Sequence, residues 1–147
     1  MPVSEHIEAS KSQKIFVVDD DPDQLFIASR ALKRAGYQVE TADNIWIAHK
    51  VGEFRPDLIL MDVQFANFQN GPVAVKALKK NQLGRDTIVL LYSTMPETDL
   101  AALVVECGAD GYVCKHEGPA SLIHEVRRHL DRRALHTGTA LPDVANG

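Results

Sequence analysis

The chain has 147 residues, 45% of them hydrophobic and 24% charged, with a net charge of -4. That length suits one domain, and the balance excludes wholesale disorder and a collagen-like repeat. The slight acidity offers no footprint for nucleic acid, and no apolar run approaches the roughly 18 residues of a membrane span.

Residues 1–13 are polar, carry Glu5 and Glu8, and lack the apolar stretch of a secretion signal, so they read as a flexible N-terminal segment. Lys14-Ile15-Phe16-Val17-Val18 reads as a first strand running into Asp19-Asp20-Asp21. Asp21 is placed to N-cap a helix, with Pro22 at its first position and Gln24 three residues on as in a capping box. The helix runs to about Ala35 and stops at Gly36. Tyr37 to Thr41 alternates apolar and polar, as an edge strand does. A second helix spans about Asn44 to Phe54, and Trp46 falls in its polar arc beside His49, Lys50 and Glu53. Trp46 is either an aromatic lying on its neighbours or a contact residue.

Arg55-Pro56-Asp57 then punctuates the chain. Leu58-Ile59-Leu60-Met61 is apolar at every position and stops at Asp62, and Ile88 to Tyr92 is equally apolar and stops at Ser93. Such runs suit central parallel strands covered on both faces. Between them lie a loop, Val63 to Asn70, and a third helix from Gly71-Pro72 to near Leu83-Gly84. Glu97 to Cys107 forms a fourth helix closed by Gly108. Its inner face is Leu100, Leu103, Val104 and Cys107, while Ala101, Ala102 and Val105 face outward without charge. Gly111 to Cys114 is a last strand ending at Lys115, Pro119 to Leu135 a fifth helix, and residues 136–147 a polar tail that reads as disordered. Cys107 and Cys114 read as reduced thiols of a cytosolic core, Cys114 as a small buried hydrophobe. His116 reads as a loop residue, and His124, His129 and His136 show no ligand spacing.

Five consecutive βα units predict an α/β fold, a doubly wound parallel sheet with right-handed crossovers. Ligands bind at the carboxyl ends of such strands, so Asp19, Asp20, Asp62 and Lys115 are expected to converge. Two carboxylates about 4 Å apart repel by roughly 4 kcal/mol at an effective dielectric near 20, so three of them call for a cation. No Gly-rich turn follows the first strand, which excludes a dinucleotide enzyme.

With these residues in place, the stretch 14–135 resembles the CheY-like receiver domain of bacterial two-component response regulators. Val17-Val18-Asp19-Asp20 looks like the family's acidic pair, and Pro56-Asp57-Leu58-Ile59-Leu60-Met61-Asp62 looks like the stretch that ends in its phosphoacceptor. Ser93 matches its Ser/Thr, and Gly108-Ala109-Asp110-Gly111-Tyr112 precedes Lys115 as in the family. The resemblance implies a flavodoxin-like five-stranded sheet of order 2-1-3-4-5. It implies that Asp62 accepts a phosphoryl group from a histidine kinase or phosphotransfer protein. Asp19, Asp20, Asp62 and the backbone carbonyl of Gln64 would hold Mg²⁺ (or Mn²⁺), with Lys115 and Ser93 on the phosphoryl oxygens. Ser93 and Tyr112 would be the switch. Ala101, Ala102, Val105 and Tyr112 would form an output face, rimmed by Arg127, Arg128, Arg132 and Arg133. Such a protein is a phosphoacceptor that assists its own transfer, not an enzyme in the ordinary sense. Because residues 136–147 leave no room for an output domain, a single-domain cytoplasmic regulator is expected, acting on a downstream protein or a second copy of itself.

Three departures stand out. His116 replaces the proline that usually follows the lysine, and a non-proline peptide favours trans by roughly 3 kcal/mol, which would displace Lys115. The 64–71 loop lacks the usual proline and acidic residue, and Thr94 stands where a very small residue is usual. They favour a second reading, an interaction module with little or no phosphorylation. An Asp-nucleophile phosphatase would place a second acid two residues beyond the nucleophile, where this chain has Gln64.

Overall fold

Five parallel strands form one sheet in the order β2-β1-β3-β4-β5. They are β1 (Lys14–Val18), β2 (Gln38–Ala42), β3 (Leu58–Asp62), β4 (Ile88–Ser93) and β5 (Gly111–Cys114). The helices are α1 (Pro22–Arg34), α2 (Ala48–Phe54), α3 (Gly71–Lys80), α4 (Glu97–Cys107) and α5 (Gly118–His136). The computed structural model describes residues 12–44, 47–64, 70–81 and 86–136. Most of the expected N-terminal segment and tail, the 65–69 loop and Trp46 therefore lie outside the described residues.

The strand pattern follows from which faces are covered. Every residue of β3 and β4 is buried, whereas β2 at the edge alternates. On one face Phe16, Val18, Ile59, Met61, Val89 and Leu91 pack under α2, α3 and α4. On the other, Ile15, Val17, Leu60, Leu90 and Val113 pack against Ala28 and Leu32 of α1 and Leu122, Val126 and Leu130 of α5. Period-two alternation along each strand supplies both layers at once. The register Val18↔Met61 and Asp62↔Tyr92 brings the strand ends level at one edge of the sheet.

Helix boundaries follow the local chemistry at most ends. Asp21 caps α1, its Oδ1 accepting Asp23 N–H at 2.9 Å, with Pro22 in the first turn. Asn70 caps α3 in the same way by accepting Val73 N–H at 3.2 Å. Gly108 closes α4 at φ 83°. Three boundaries differ from expectation. α2 begins at Ala48, not near Asn44, because Ile47 is anchored in the core and takes the cap position without a polar cap. α3 ends at Lys80, where Asn81 turns extended while its N–H still bonds Ala77 and Leu78 carbonyls. A 3-10 turn, Lys115–Glu117, fills the stretch expected to be loop before α5.

Gly71 sits where α3 meets the end of β3. A methyl at this position would lie 2.0 Å from the Asp62 carbonyl oxygen and 3.1 Å from Val63 Cα, both backbone atoms. Gly71→Ala is therefore expected to lower stability by about 2 kcal/mol or more, as overpacking against an immovable neighbour does. Urea unfolding checks it; an unchanged midpoint would mean that α3 retreats from Asp62 at no cost.

Candidate functional site

The carboxyl ends of β1, β3 and β5 carry the candidate residues. Asp19 follows β1 directly, and its N–H bonds the Ala42 carbonyl at 3.0 Å, tying it to the end of β2. One Asp19 oxygen accepts Asp21 N–H at 3.0 Å, and the other accepts Lys115 Nζ at 2.5 Å. Asp62, the last residue of β3, accepts the same ammonium at 3.2 Å. Lys115 thus reaches across the sheet and bridges two carboxylates. Asp19 is 1% exposed and Asp62 5%, while Asp20 is half-buried and forms the open side. The Lys115 ammonium also lies 5.2 Å from the centroid of the buried Tyr92 ring, a cation–π position.

This geometry leaves the site short of positive charge. Ligand oxygens of Asp19, Asp20 and Asp62 all lie within 4.8 Å of one another. One ammonium among three carboxylates leaves the group net negative, and the donors are all oxygen. A hard divalent ion such as Mg²⁺ fits that set, since it takes oxygen ligands and keeps several waters. Burial pushes the Asp62 carboxyl up to about 6; Lys115 opposes this, while Asp19 and Asp20 add to it. Burial, with Asp19 nearby, likewise holds the Tyr92 phenol at about 12.

The remaining candidates fall around this centre. Ser93 ends β4 and is buried, and its Oγ accepts Met95 N–H at 3.1 Å. Gln64 pairs with Asn70 in an isolated antiparallel bridge two residues beyond Asp62. Tyr112 is half-buried on β5, and its hydroxyl donates to Glu97 at the start of α4 at 2.7 Å. Ala101, Ala102 and Val105 are exposed on α4, Val105 at 83%.

Two expectations need correcting. Among the described residues no peptide is cis, so the bond before His116 is trans, yet Lys115 is not displaced. The 3-10 turn starting at Lys115 absorbs the change of direction. Arg133 does not rim the output face. It bonds the Asp57 carboxylate at 2.9 Å and the Asp57 and Asp86 carbonyls, at the opposite end of the sheet. Its place near the end of a long helix carries it past the sheet.

Some contacts join residues that the sequence did not mark as neighbours. Cys114, His116 and Glu117 bring a thiol, an imidazole nitrogen and a carboxylate oxygen within 4.8 Å of one another. The residue types stood close together in the sequence, but only the unforeseen turn joins them. His129 is buried against Gly111, where a methyl would meet its ring at 2.7 Å. Its position on the inner stripe of α5, three residues after Val126, was the available signal.

Residues 15–127 match the family model of the response regulator receiver domain. The chain belongs to this family. Receiver domains are phosphoacceptors that work with histidine kinases and bind Mg²⁺ at an acidic pocket. The chain is 31% identical over 137 residues to the transcriptional regulatory protein PrrA of Mycobacterium leprae, covering 92% of this chain and 58% of that one. It is 31% identical over 119 residues to the phosphate regulon transcriptional regulatory protein PhoB of Pseudomonas aeruginosa, covering 80% and 52%. It spans about half the length of the curated relatives it matches. Among solved structures, the chemotaxis response regulator CheY4 of Vibrio cholerae is 28% identical, with a TM-score of 0.73 over 80% of this chain and 98% of that one. A CheY-like receiver domain protein of Methanospirillum hungatei, 22% identical, shares the fold at a TM-score of 0.75, over 85% and 98%. No helix among the described residues is long and apolar enough to cross a membrane.

The raised Asp62 pKa of this receiver domain makes stability depend on pH. With a folded value of about 6 against 3.8 unfolded, the buried carboxylate destabilises the fold above pH 6 and has no effect once protonated in both states. At about 1.36 kcal/mol per unit the penalty reaches at most about 3 kcal/mol. Without divalent metal, Asp62→Asn should therefore be the more stable protein near neutral pH. Its advantage should fade as pH falls through about 6 towards 4. Urea midpoints at both ends of this range test the point; a gap that does not change with pH would deny the charge its role.

Proposed function

We propose that Asp62 accepts a phosphoryl group from a phosphohistidine and that the chain signals through protein–protein contacts. The observation that carries this is the Lys115 ammonium held by both Asp19 and Asp62, with Asp20 at the open side. An Asp62 oxygen forms the new P–O bond as the P–N bond to the donor imidazole breaks, and the ring departs after taking up a proton. Asp62 carries no proton above its pKa of about 6, so its attack at neutral pH needs no general base. Lys115 would shift from carboxylate to phosphoryl oxygen as charge builds there, and Ser93 would donate its hydroxyl to another. Asp19, Asp20 and Asp62, with the Gln64 carbonyl, would hold Mg²⁺, which supplies neutralisation of the phosphoryl oxygens when bound. The trans peptide before His116 leaves Lys115 in contact with both carboxylates, which favours phosphorylation over a phosphorylation-independent interaction module.

Incubation with Mg²⁺ and acetyl phosphate, read by intact mass, tests the reading. The wild type should gain one phosphoryl group, and Asp62→Ala none. Equal labelling of both would remove Asp62 from the role. Gln64 and Met95 lie two residues beyond Asp62 and Ser93, and neither offers a base to orient water. The phosphorylated form should therefore last minutes or longer, and loss within seconds at neutral pH would contradict this.

The proposed output runs from Ser93 through Tyr112 to the exposed face of α4. The Tyr112 hydroxyl, bonded to Glu97, ties β5 to the first turn of α4. Drawing Ser93 towards a phosphoryl group would bias Tyr112 inward and shift an existing equilibrium. The exposed, uncharged patch Ala101, Ala102 and Val105 would be the apolar centre of a specific contact, with Arg127, Arg128 and Arg132 of α5 as its charged rim. Val105→Glu should abolish complex formation with a partner or a second copy, measured by sizing of the phosphorylated protein. An intact complex in this variant would move the output face elsewhere.

A further inference from the structure

Around the end of β5, on either side of Lys115 in the chain, lies a second group of ligating atoms. The 3-10 turn Lys115–Glu117 closes on Gly118, whose N–H bonds the Lys115 carbonyl and whose φ is 87°. This turn folds His116 and Glu117 back beside Cys114, with thiol, imidazole and carboxylate ligand atoms all within 4.8 Å of one another. Cys114 is buried, while His116 and Glu117 are exposed, so the three form a floor and a rim. Ser121 Oγ donates to Glu117 Oε1 at 3.1 Å, fixing the carboxylate from the first turn of α5. Such outer partners orient ligands in built metal sites. A cleft of about 320 Å³ adjoins, lined by Cys114 and Glu117 and also by Glu97 and Glu125. Arg128 and Arg132 line the same cleft, yet after burial it is Glu117, Glu97 and Glu125 that push the Cys114 thiol up, so the field at the sulfur is negative and favours a cation.

We infer that Cys114, His116 and Glu117 form a binding site for a late first-row divalent metal, Zn²⁺ by its donor set. Sulfur, nitrogen and oxygen donors together select zinc or its neighbours, whereas Mg²⁺ takes oxygen. Three protein ligands leave a fourth position open to water. Binding displaces the thiol proton to solvent as the metal–sulfur bond forms. Two of the ligands flank Lys115 in sequence, so an ion here braces the turn that carries the ammonium of the acidic centre. The site is separate from that centre and independent of whether Asp62 is phosphorylated.

The test is a titration of the whole chain with Co²⁺ in excess Mg²⁺, followed by thiolate-to-cobalt charge-transfer absorption. One equivalent of Co²⁺ should raise the band, and Zn²⁺ should bleach it. Cys107→Ser should keep it, and Cys114→Ser should lose it. His116→Ala alters only an exposed side chain, so it serves even if Cys114→Ser folds poorly. It should weaken binding by more than about tenfold, the lower bound for loss of a mere outer partner. Absence of a sulfur band, its persistence in Cys114→Ser, or unchanged affinity in His116→Ala would overturn the inference.

Discussion

The structure turns on one ammonium placed between two buried carboxylates. Asp19 and Asp62 belong to neighbouring strands, and a parallel sheet brings both to the same edge. Left alone, two such charges in low dielectric would repel and be costly to desolvate. Lys115 comes from the far edge of the sheet, at the end of β5, and crosses β4 to reach them. Tyr92, on the intervening strand, offers its ring face beneath the crossing side chain. The acidic centre therefore depends on the order of three strands that are far apart in sequence. Moving β5 to the opposite edge, beside β2, would change which strands lie between the lysine and its partners.

The opposite edge of the sheet is held by different means. Asp57, just before β3, accepts Lys14 N–H at 2.8 Å and the Arg133 guanidinium at 2.9 Å. One carboxylate thereby joins the starts of β1 and β3 to the end of α5. Asp110 plays a similar part, accepting Val89 N–H at 2.8 Å and Lys79 Nζ at 2.7 Å. Between these clamps, the His129 ring fills the space over Gly111, and burial with the nearby Arg128 guanidinium pushes its pKa down. Polar staples at the amino edge are satisfied within the protein. The carboxyl edge instead gathers Asp19, Asp20 and Asp62 close together, with the Lys115 ammonium shared between Asp19 and Asp62.

Between the two edges, α4 meets the sheet through a short apolar stripe. It buries Leu100 and Cys107 fully, whereas Leu103 and Val104 are only partly covered. Its first turn is tied to β5 by the exposed Tyr112–Glu97 bond. Partial cover and an exposed hydrogen bond are features of segments that open locally at low cost. The acidic centre and this helix share β4 and β5.

The sequence by itself determined the layering and the acidic centre. Unbroken apolar runs at β3 and β4 demanded cover on both faces, and each run stopped at the residue that the edge presents. Asp19, Asp20, Asp62 and Lys115 were legible because a strand end is also a ligand position in a parallel sheet. Glycine and the Asp21 cap marked where α1 and α4 begin or end, since these depend on local backbone chemistry. Only the tertiary structure decided what lies at longer range. The start of α2 moved to Ala48 because Ile47 is anchored in the core. Arg133 left the output face because the Asp57 carboxylate holds it at the other edge. Lys115 kept its place despite His116 because a 3-10 turn took up the geometry usually left to proline, and that same turn gathered Cys114, His116 and Glu117. Local chemistry sets where elements begin, but which side chains meet depends on how separate elements pack, and spacing along the chain does not encode that.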